Sequence, residues 1–275
     1  MKAENIFVEF EEDEKDSAPE THALCILSGG SRLHGYLLAP DKRLGTPCPG
    51  VIMSHGFPGY TTNNDLELAL MRAGCVVIHM YHRGSWGSEG NYLFTNLKED
   101  LIAAANWAAD PANAGRYGID VNNLFLVGHS MGGQSVLNAA KELPFIRGVA
   151  ALAPYDMGAA FGCGMEKELL RMIETKGQCL RIASPAALYE NAREHVSELS
   201  VLNGCERLAA HRVLLVEAAL DSVIPADKMI RPLLGKLREM GAPVTYETLV
   251  STHSFAGQKM KLAAIVAGWI ESSCR

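Results

Sequence analysis

Residues 124–132 read Leu-Phe-Leu-Val-Gly-His-Ser-Met-Gly, an apolar run that ends in the pattern G-x-S-x-G. The run from Leu124 to Val127 is apolar at every position, which is typical of a strand covered on both faces of a parallel sheet. A helix-forming stretch at 134–143 follows the second glycine. Strand, sharp turn and helix are the setting of a nucleophile elbow. The sequence therefore predicts that Ser130 is an exposed nucleophile at the carboxyl end of a strand.

The spacing of the two glycines around Ser130 has a steric reason. In such a turn the residues two before and two after the serine approach each other and neighbouring backbone, so Gly128 and Gly132 leave the room that a side chain would fill. The N–H groups of the following helical turn favour developing negative charge above the serine. The pattern thus predicts both a strained turn and the electrostatics that an alkoxide nucleophile needs.

The rest of the chain predicts an α/β architecture. Two alternating segments open it, at 6–10 and 22–27, and a further strand is predicted at 32–39, so that the three form an antiparallel addition. Apolar runs that predict parallel strands follow at 50–54, 75–81, 124–128, 149–154, 213–218 and 244–250. Helical patterns lie between them at 65–73, 97–109, 132–143, 227–240 and 258–272. Repeated strand–helix units predict a right-handed, doubly wound, mostly parallel sheet.

The predicted domain organisation is a single domain over residues 1–275. Residues 1–48 supply the N-terminal antiparallel strands. Residues 157–210 contain no convincing strand and only patchy helical pattern, so they form an insertion that either caps the sheet or packs on its edge.

The candidate general base follows from chain order. Where the order is nucleophile, acid and base, the base lies near the C-terminus. Of the nine histidines, His253 alone lies beyond residue 211, between the last predicted strand and the last predicted helix.

The candidate acid is expected at the end of the preceding strand. Asp221 lies in the loop after the run at 213–218, whereas Glu217 is nearer the strand body and is expected to be a packed carboxylate. Asp156, after the strand before that, is the alternative acid. The acid would hold the tautomer of His253 and stabilise its imidazolium.

An oxyanion hole needs two N–H donors. One is expected from Met131, directly after the nucleophile. The other is expected from Phe57 in the turn after the first parallel strand, because Pro58 has no N–H to donate. Three aromatic residues are candidates for the pocket lining: Tyr60, Trp86 and Tyr155.

Charge and composition exclude several partner classes. The chain has 275 residues, with Lys+Arg 25 against Asp+Glu 31 and a net charge of -6. Residues 9–20 hold seven acids and one lysine, which accounts for -6, so the remainder is near neutral and has no basic field for nucleic acid. Apolar runs stay well below the roughly 18 residues of a membrane helix, and we expect no membrane partner.

The cysteines bear on the compartment. There are seven, an odd number spread along the chain without a C-x-x-C pair. In a chain long enough for a large core this predicts free thiols in a reducing compartment, and a cytoplasmic location. The first 15 residues lack the apolar segment of a signal peptide.

From about Leu33 to the C-terminus, the sequence resembles the α/β-hydrolase-fold serine hydrolases. The resemblance rests on residues 55–59, 83–90, 128–132 and 221–225 and on His253. The 83–90 loop and the Asp-x-x-(apolar)-Pro segment at 221–225 resemble the prolyl-oligopeptidase-like enzymes and the dienelactone hydrolases. The resemblance implies a triad of Ser130, Asp221 and His253 with Phe57 and Met131 in the oxyanion hole, and it implies no cofactor and no metal.

This chain departs from those relatives at three points. Glu217-Ala218 stands where the prolyl-oligopeptidase-like enzymes often have His-Gly before the acid, and Ser130 stands where dienelactone hydrolases have a cysteine. The 30-odd leading residues are too few for the propeller of the oligopeptidases.

The predicted function is hydrolysis of small carboxylic esters through an acyl-enzyme intermediate. A second hypothesis is an aminopeptidase or acyl-peptide hydrolase, acting on a short peptide. A third is a catalytically silent binding protein built on the same fold. The sequence leaves the oligomeric state open.

Overall fold

The computed structural model describes residues 1–9, 17–60 and 63–274. Within these ranges a single sheet contains the strands β1 (Glu20–Ser28), β2 (Ser31–Ala39), β3 (Cys48–Ser54), β4 (Val76–Met80), β5 (Ile119–His129), β6 (Gly148–Leu152), β7 (Arg212–Ala218) and β8 (Val244–Leu249). The α-helices of the same ranges are α1 (Asn64–Arg72), α2 (Asn96–Ala109), α3 (Pro111–Tyr117), α4 (Met131–Ala140), α5 (Met157–Gly162), α6 (Glu166–Lys176), α7 (Pro185–Glu194), α8 (Val196–Leu199), α9 (Ala226–Met229), α10 (Arg231–Glu239) and α11 (Lys259–Ser273). None of these helices has both the length and the apolar character needed to cross a bilayer.

The order of the strands is β1-β2-β4-β3-β5-β6-β7-β8. β2 pairs antiparallel with β1 and with β4. The neighbouring pairs from β4 through β3 to β8 are all parallel. The predicted architecture, a mostly parallel sheet with an N-terminal antiparallel addition, is confirmed. Its consequence for function is that β3, β5, β6, β7 and β8 all end at one edge.

The apolar runs have no alternation because both faces of the sheet are covered. Val51 and Phe125 point into a core shared with α1 and α11. Their neighbours Ile52 and Leu124 point into the opposite core, which is shared with α2 and α4. Successive side chains of a strand alternate between faces, so two apolar layers require apolar residues at every position.

The predicted strand at 6–10 is wrong. Ala3–Phe7 is a 3-10 helix, and Phe10 lies outside the described residues. The Lys2 N–H donates to the Ala73 carbonyl at 2.8 Å. Ile6 is buried in the core beside α1 and α11, while Phe7 is 57% exposed. One anchored side chain, and not a strand partner, therefore determines the conformation of this segment.

The single helix predicted at 227–240 is also wrong, because the segment forms two helices, α9 and α10, that meet at Ile230. Pro232 lies in the first turn of α10. Pro232 has no N–H to donate to the carbonyl of Lys228, four residues earlier, and its ring would clash with that carbonyl. The helix is therefore interrupted here.

The insertion at 157–210 is helical, and no strand occurs in it, as predicted; the structure describes this stretch completely. It begins with α5 directly after β6 and contains α6, α7 and α8. Leu169 and Ile173 of α6 are buried in the same core as α2 and α4. The C-terminal end of α6 reaches the carboxyl edge of the sheet, where Lys176 and Ser130 line one cleft.

Candidate active site

Ser130 occupies a sharp turn between β5 and α4. Its backbone has φ 58° and ψ -120°, the left-handed side of conformational space that side chains rarely adopt. A Cβ on Gly128 would lie 2.2 Å from the Gly132 carbonyl oxygen, and a Cβ on Gly132 would lie 2.3 Å from that of Ser54. Both glycines are thus required by close backbone approach, as the sequence pattern predicts.

Three side chains from three loops meet at this turn. His253 follows β8, and its Nε2 lies 2.9 Å from Ser130 Oγ. Its Nδ1 lies 2.7 Å from Asp221 Oδ2, in the loop after β7. A ring that contacts a hydroxyl at one nitrogen and a carboxylate at the other can pass a proton at the first while the second holds its orientation.

Asp221 is held as an ionised acceptor. Its side chain is 3% exposed, and its Oδ1 accepts the N–H groups of Val223 and Ile224 at 2.7 and 2.9 Å. Burial opposes ionisation, but the hydrogen bond and charge of His253 and the two backbone N–H groups outweigh it and lower the pKa of Asp221. An ionised Asp221 requires that His253 Nδ1 carries its proton, which leaves the Nε2 lone pair facing Ser130.

The alternative acid, Asp156, lies elsewhere. It caps α5, where its Oδ1 accepts the N–H of Gly158 at 2.9 Å and that of Val201 at 3.2 Å. Burial raises the pKa of its carboxyl group. The structure therefore brings Asp221, and not Asp156, to His253.

The loop after β3 lies against the nucleophile. A Cβ on Gly56 would be 3.1 Å from the Ser130 Cβ. No hydrogen bond formed by the described residues occupies the N–H of Phe57 or of Met131. The Phe57 ring packs against Tyr92, with ring centroids 5.8 Å apart, which holds this loop in place. Both predicted oxyanion donors therefore have no acceptor among the described residues.

Behind this loop lies a buried polar cluster that explains the motif at 83–90. Asp100 accepts hydrogen bonds from the Arg83 N–H at 2.9 Å, from Arg83 Nε at 2.6 Å and from Ser28 Oγ at 2.7 Å. His82 Nε2 lies 3.0 Å from Ser54 Oγ, one residue before His55. Despite burial, His82 and Arg83 lower the pKa of Asp100. The cluster anchors the end of β3, and hence the turn that carries Phe57.

Ser130 and His253 line a cleft of about 180 Å³. Its lining includes Gly56, Phe57, Pro58, Gly59, Tyr60, His129, Ser130, Lys176, His253 and Ser254. A second cavity of about 490 Å³ is lined by one side of α6 together with Tyr155, Ser222 and Val223. Lys176 borders both cavities.

The three predicted pocket aromatics have different positions. Tyr60 lines the cleft, and Tyr155 lines the second cavity. Trp86 is not among the residues around either of these two spaces. Its ring packs against Tyr60 with centroids 5.8 Å apart, and its Nε1 donates to the Pro58 carbonyl at 3.1 Å. Trp86 thus packs against Tyr60, which lines the cleft, but does not itself line it.

Sequence reasoning missed three residues of the cleft, His129, Lys176 and Ser254. His129 is the first of the two variable positions of G-x-S-x-G, which the pattern itself does not specify. Lys176 ends a helix of the insertion, far from Ser130 in the sequence, and no local signal marks it. In the ranges that the structure describes, no cluster of three or more His, Cys, Asp or Glu side chains is arranged to hold a metal ion.

Solved structures resemble this chain closely in backbone. A bacterial brefeldin A esterase, a homologue of human hormone-sensitive lipase, superposes with TM-score 0.71 at 18% identity, covering 99% of this chain and 82% of its own. Est1E from Butyrivibrio proteoclasticus, solved with ferulic acid, gives 0.68 at 19% identity, covering 92% and 99%. The chain has the α/β-hydrolase fold. The acylaminoacyl peptidase of Pyrococcus horikoshii gives 0.67 at 15% identity and covers 94% of this chain but 42% of its own.

No family model matches the sequence, and a search of curated protein sequences finds no match. The fold implied by the motifs at 55–59, 128–132 and 221–225 is confirmed by structure alone. The closer resemblance to prolyl-oligopeptidase-like enzymes stays a prediction.

The steric requirement for glycine at position 128 can be tested by substitution, with a second glycine as the control. We expect Gly128→Ala to lower the free energy of unfolding by about 1–3 kcal/mol, because its Cβ would overlap the Gly132 carbonyl. It should also displace Ser130 and reduce its labelling by a fluorophosphonate. Gly235→Ala in α10, where a Cβ meets nothing within 4 Å, should keep full labelling and stability. Urea unfolding and labelling rates measure both effects, and equal behaviour of the two variants would contradict the steric argument.

Proposed function

We propose that this protein is a serine hydrolase that cleaves small carboxylic esters through an acyl-enzyme intermediate. The observation that carries the proposal is the continuous hydrogen-bonded chain from Ser130 through His253 to Asp221. The esterases among the structural neighbours support the same chemistry without identifying a substrate for this chain.

In the acylation step Ser130 Oγ attacks the ester carbonyl carbon while His253 Nε2 takes its proton. The imidazolium that forms is stabilised by ionised Asp221. The carbonyl oxygen gains negative charge and accepts the N–H groups of Phe57 and Met131. His253 then gives its proton to the leaving alcohol as the C–O bond breaks.

Deacylation repeats these roles with water. His253 takes a proton from the water molecule as its oxygen attacks the acyl carbon, and the tetrahedral oxyanion again accepts from Phe57 and Met131. When it collapses, the proton returns to Ser130 Oγ and the carboxylic acid leaves. Apart from the ester and this water molecule, the proposed cycle uses only groups of this chain.

The insertion supplies the specificity in this proposal. The cleft at Ser130 has room for a small group, whereas the cavity beside α6 is larger. The lining of that cavity combines the apolar residues Met165, Leu169, Met172 and Val223 with Tyr155 and with the charged residues Glu168, Arg171 and Lys176. We assign the acyl chain to the larger cavity. Each methylene that it accommodates should add at most about 0.8 kcal/mol to transition-state binding.

Peptide hydrolysis is the second candidate. It is favoured by the acylaminoacyl peptidase among the structural neighbours, although this chain spans less than half of that protein. Aminoacyl 4-nitroanilides measured beside 4-nitrophenyl esters separate the two functions. Faster cleavage of the amides, relative to their uncatalysed rates, would replace the esterase proposal.

The nucleophile provides the decisive test of enzyme against binding protein. Ser130→Ala should reduce kcat for 4-nitrophenyl acetate by about 10⁴- to 10⁶-fold, because the three groups act as a unit. Fluorophosphonate should modify Ser130 alone, as read by peptide mapping. Ser273→Ala, which removes a buried serine hydroxyl of α11, should keep the wild-type rate. An adduct elsewhere, or a wild-type protein that neither turns over esters nor is labelled, would overturn the proposal.

The acid is tested by two isosteric substitutions. Asp221→Asn should reduce kcat on the order of 10⁴-fold, because an amide favours the wrong tautomer of His253. Asp156→Asn should have a much smaller effect, since an amide oxygen still accepts the N–H groups of Gly158 and Val201. The opposite order of effects would move the acid to Asp156.

The assignment of the acyl chain predicts a change in the chain-length profile. Met172→Trp should fill part of the larger cavity and lower kcat/KM for the longest accepted acyl chains about tenfold, the equivalent of two methylenes, while the acetate rate is kept. Glu174→Trp, on an exposed position of α6 that does not line the cavity, is the matched control. A profile that Met172→Trp leaves unchanged would exclude this cavity as the acyl site.

A further inference from the structure

The loop that carries His253 has few backbone restraints at the histidine itself. Its flanks are tied by the Leu220 N–H, which donates to the Ser251 carbonyl at 3.0 Å, and by the Phe255 N–H, which donates to the Thr252 carbonyl at 2.9 Å. The backbone of His253 makes one hydrogen bond to the described part of the chain: its carbonyl accepts from His129 Nε2 at 2.8 Å.

We propose that His129 is a positioning residue that aligns the general base with the nucleophile. His129 is the last residue of β5 and directly precedes Ser130. Its side chain therefore connects the strand that fixes the nucleophile to the backbone of the base, 124 residues later in the chain. The inference rests on the proposed function, in which His253 is that base.

The direction of this hydrogen bond determines the protonation of His129. A carbonyl oxygen only accepts, so Nε2 must carry the proton and donate it. His129 is buried, and burial together with the neighbouring His253 lowers the pKa of His129 to about 3. The ring is then neutral, with Nδ1 unprotonated.

A neutral ring at this place is compatible with the proposed reaction. The ring centroids of His129 and His253 are 4.7 Å apart. A second positive charge at this distance would disfavour the imidazolium that His253 must form. His129 can therefore hold the base by a hydrogen bond without opposing its protonation.

Packing keeps the donor aimed at its acceptor. The His129 ring meets the His253 ring at an interplanar angle of 40° and the Phe255 ring at 67°, with centroids 6.0 Å apart for the second pair. Phe255 is buried and has φ 55°, so the chain turns sharply just after the base. Loss of the His129 hydrogen bond would free the His253 carbonyl at the centre of this turn.

The test separates this bond from general stability. His129→Leu removes the donor, His129→Gln places an amide N–H near the position of Nε2, and His129→Asn is too short to reach it. His211→Leu is the matched control, because buried His211 likewise donates from a ring nitrogen, Nδ1, to a backbone carbonyl, that of Ile146, at 2.8 Å. His211 directly precedes β7, whereas Asp221 follows the opposite end of that strand. Each variant is assayed for kcat and KM with 4-nitrophenyl acetate, for fluorophosphonate labelling of Ser130, and for urea unfolding.

We expect His129→Leu and His129→Asn to lower kcat and the labelling rate about 10- to 100-fold with KM within about twofold, since misplacement of a catalytic group by about 1 Å has effects of this size. His129→Gln should recover most of the rate, and His211→Leu should lower stability while kcat is retained. If His129→Leu fails to fold, the comparison of the glutamine and asparagine variants decides.

Two results would overturn the inference alone: a His129→Leu variant no slower than His211→Leu, or glutamine and asparagine variants that fold normally and are equally slow. A wild-type protein without ester turnover and without labelling of Ser130 would overturn the proposed function and this inference together.

Discussion

The positive φ of Ser130 is the constraint around which the site is arranged. A serine in this conformation is strained, and the strain persists only where the surrounding backbone leaves no alternative. Here the carbonyls of Ser54 and Gly132 occupy the places where side chains on Gly132 and Gly128 would go. The close approach of β3 to the elbow, which excludes a side chain on Gly132, also brings the loop of Phe57 to Ser130. The turn and the position of the Phe57 loop are therefore two results of one packing arrangement.

Parallel strands convert this local geometry into a site. Because β5, β7 and β8 are parallel neighbours or near neighbours, the residues that follow them emerge at one edge, although Ser130, Asp221 and His253 are far apart in sequence. The same logic made them predictable from sequence: an apolar run identifies each strand, and the first reactive side chain after it identifies the loop. The boundaries of the parallel strands were predicted within two residues for this reason, except that β5 begins at Ile119, five residues before the predicted run.

Where prediction failed, a tertiary contact outweighed the local pattern. Residues 6–10 alternate like a strand, yet the burial of Ile6 between helices gives a 3-10 helix over Ala3–Phe7. Pro232 marks the break before α10. Asp110, the N-cap of α3, and Pro111 in the first turn mark a helix start that the predicted elements do not include. Lys176 and the position of Trp86 behind Tyr60 depend on how the insertion and the loops fold over the sheet, which no periodicity encodes.

The carboxylates near this edge of the sheet differ in their hydrogen-bond partners, although they are the same chemical group. Glu217, four residues before Asp221, is bound by Arg231 at 2.9 Å and by the hydroxyl of Tyr246, and these partners lower the pKa of Glu217 against the effect of burial. Asp156 accepts, through Oδ1, the N–H groups of Gly158 in α5 and of Val201 after α8.

Asp221 also accepts two backbone N–H groups through Oδ1 alone, so Oδ2 stays available for an imidazole. The loop after β7 thus presents one carboxylate oxygen in a fixed direction, toward the single histidine whose other nitrogen contacts Ser130. Asp156 likewise accepts its two backbone N–H groups through Oδ1, so the position of the loop after β7, and not an unoccupied oxygen, distinguishes Asp221 as the carboxylate that contacts His253.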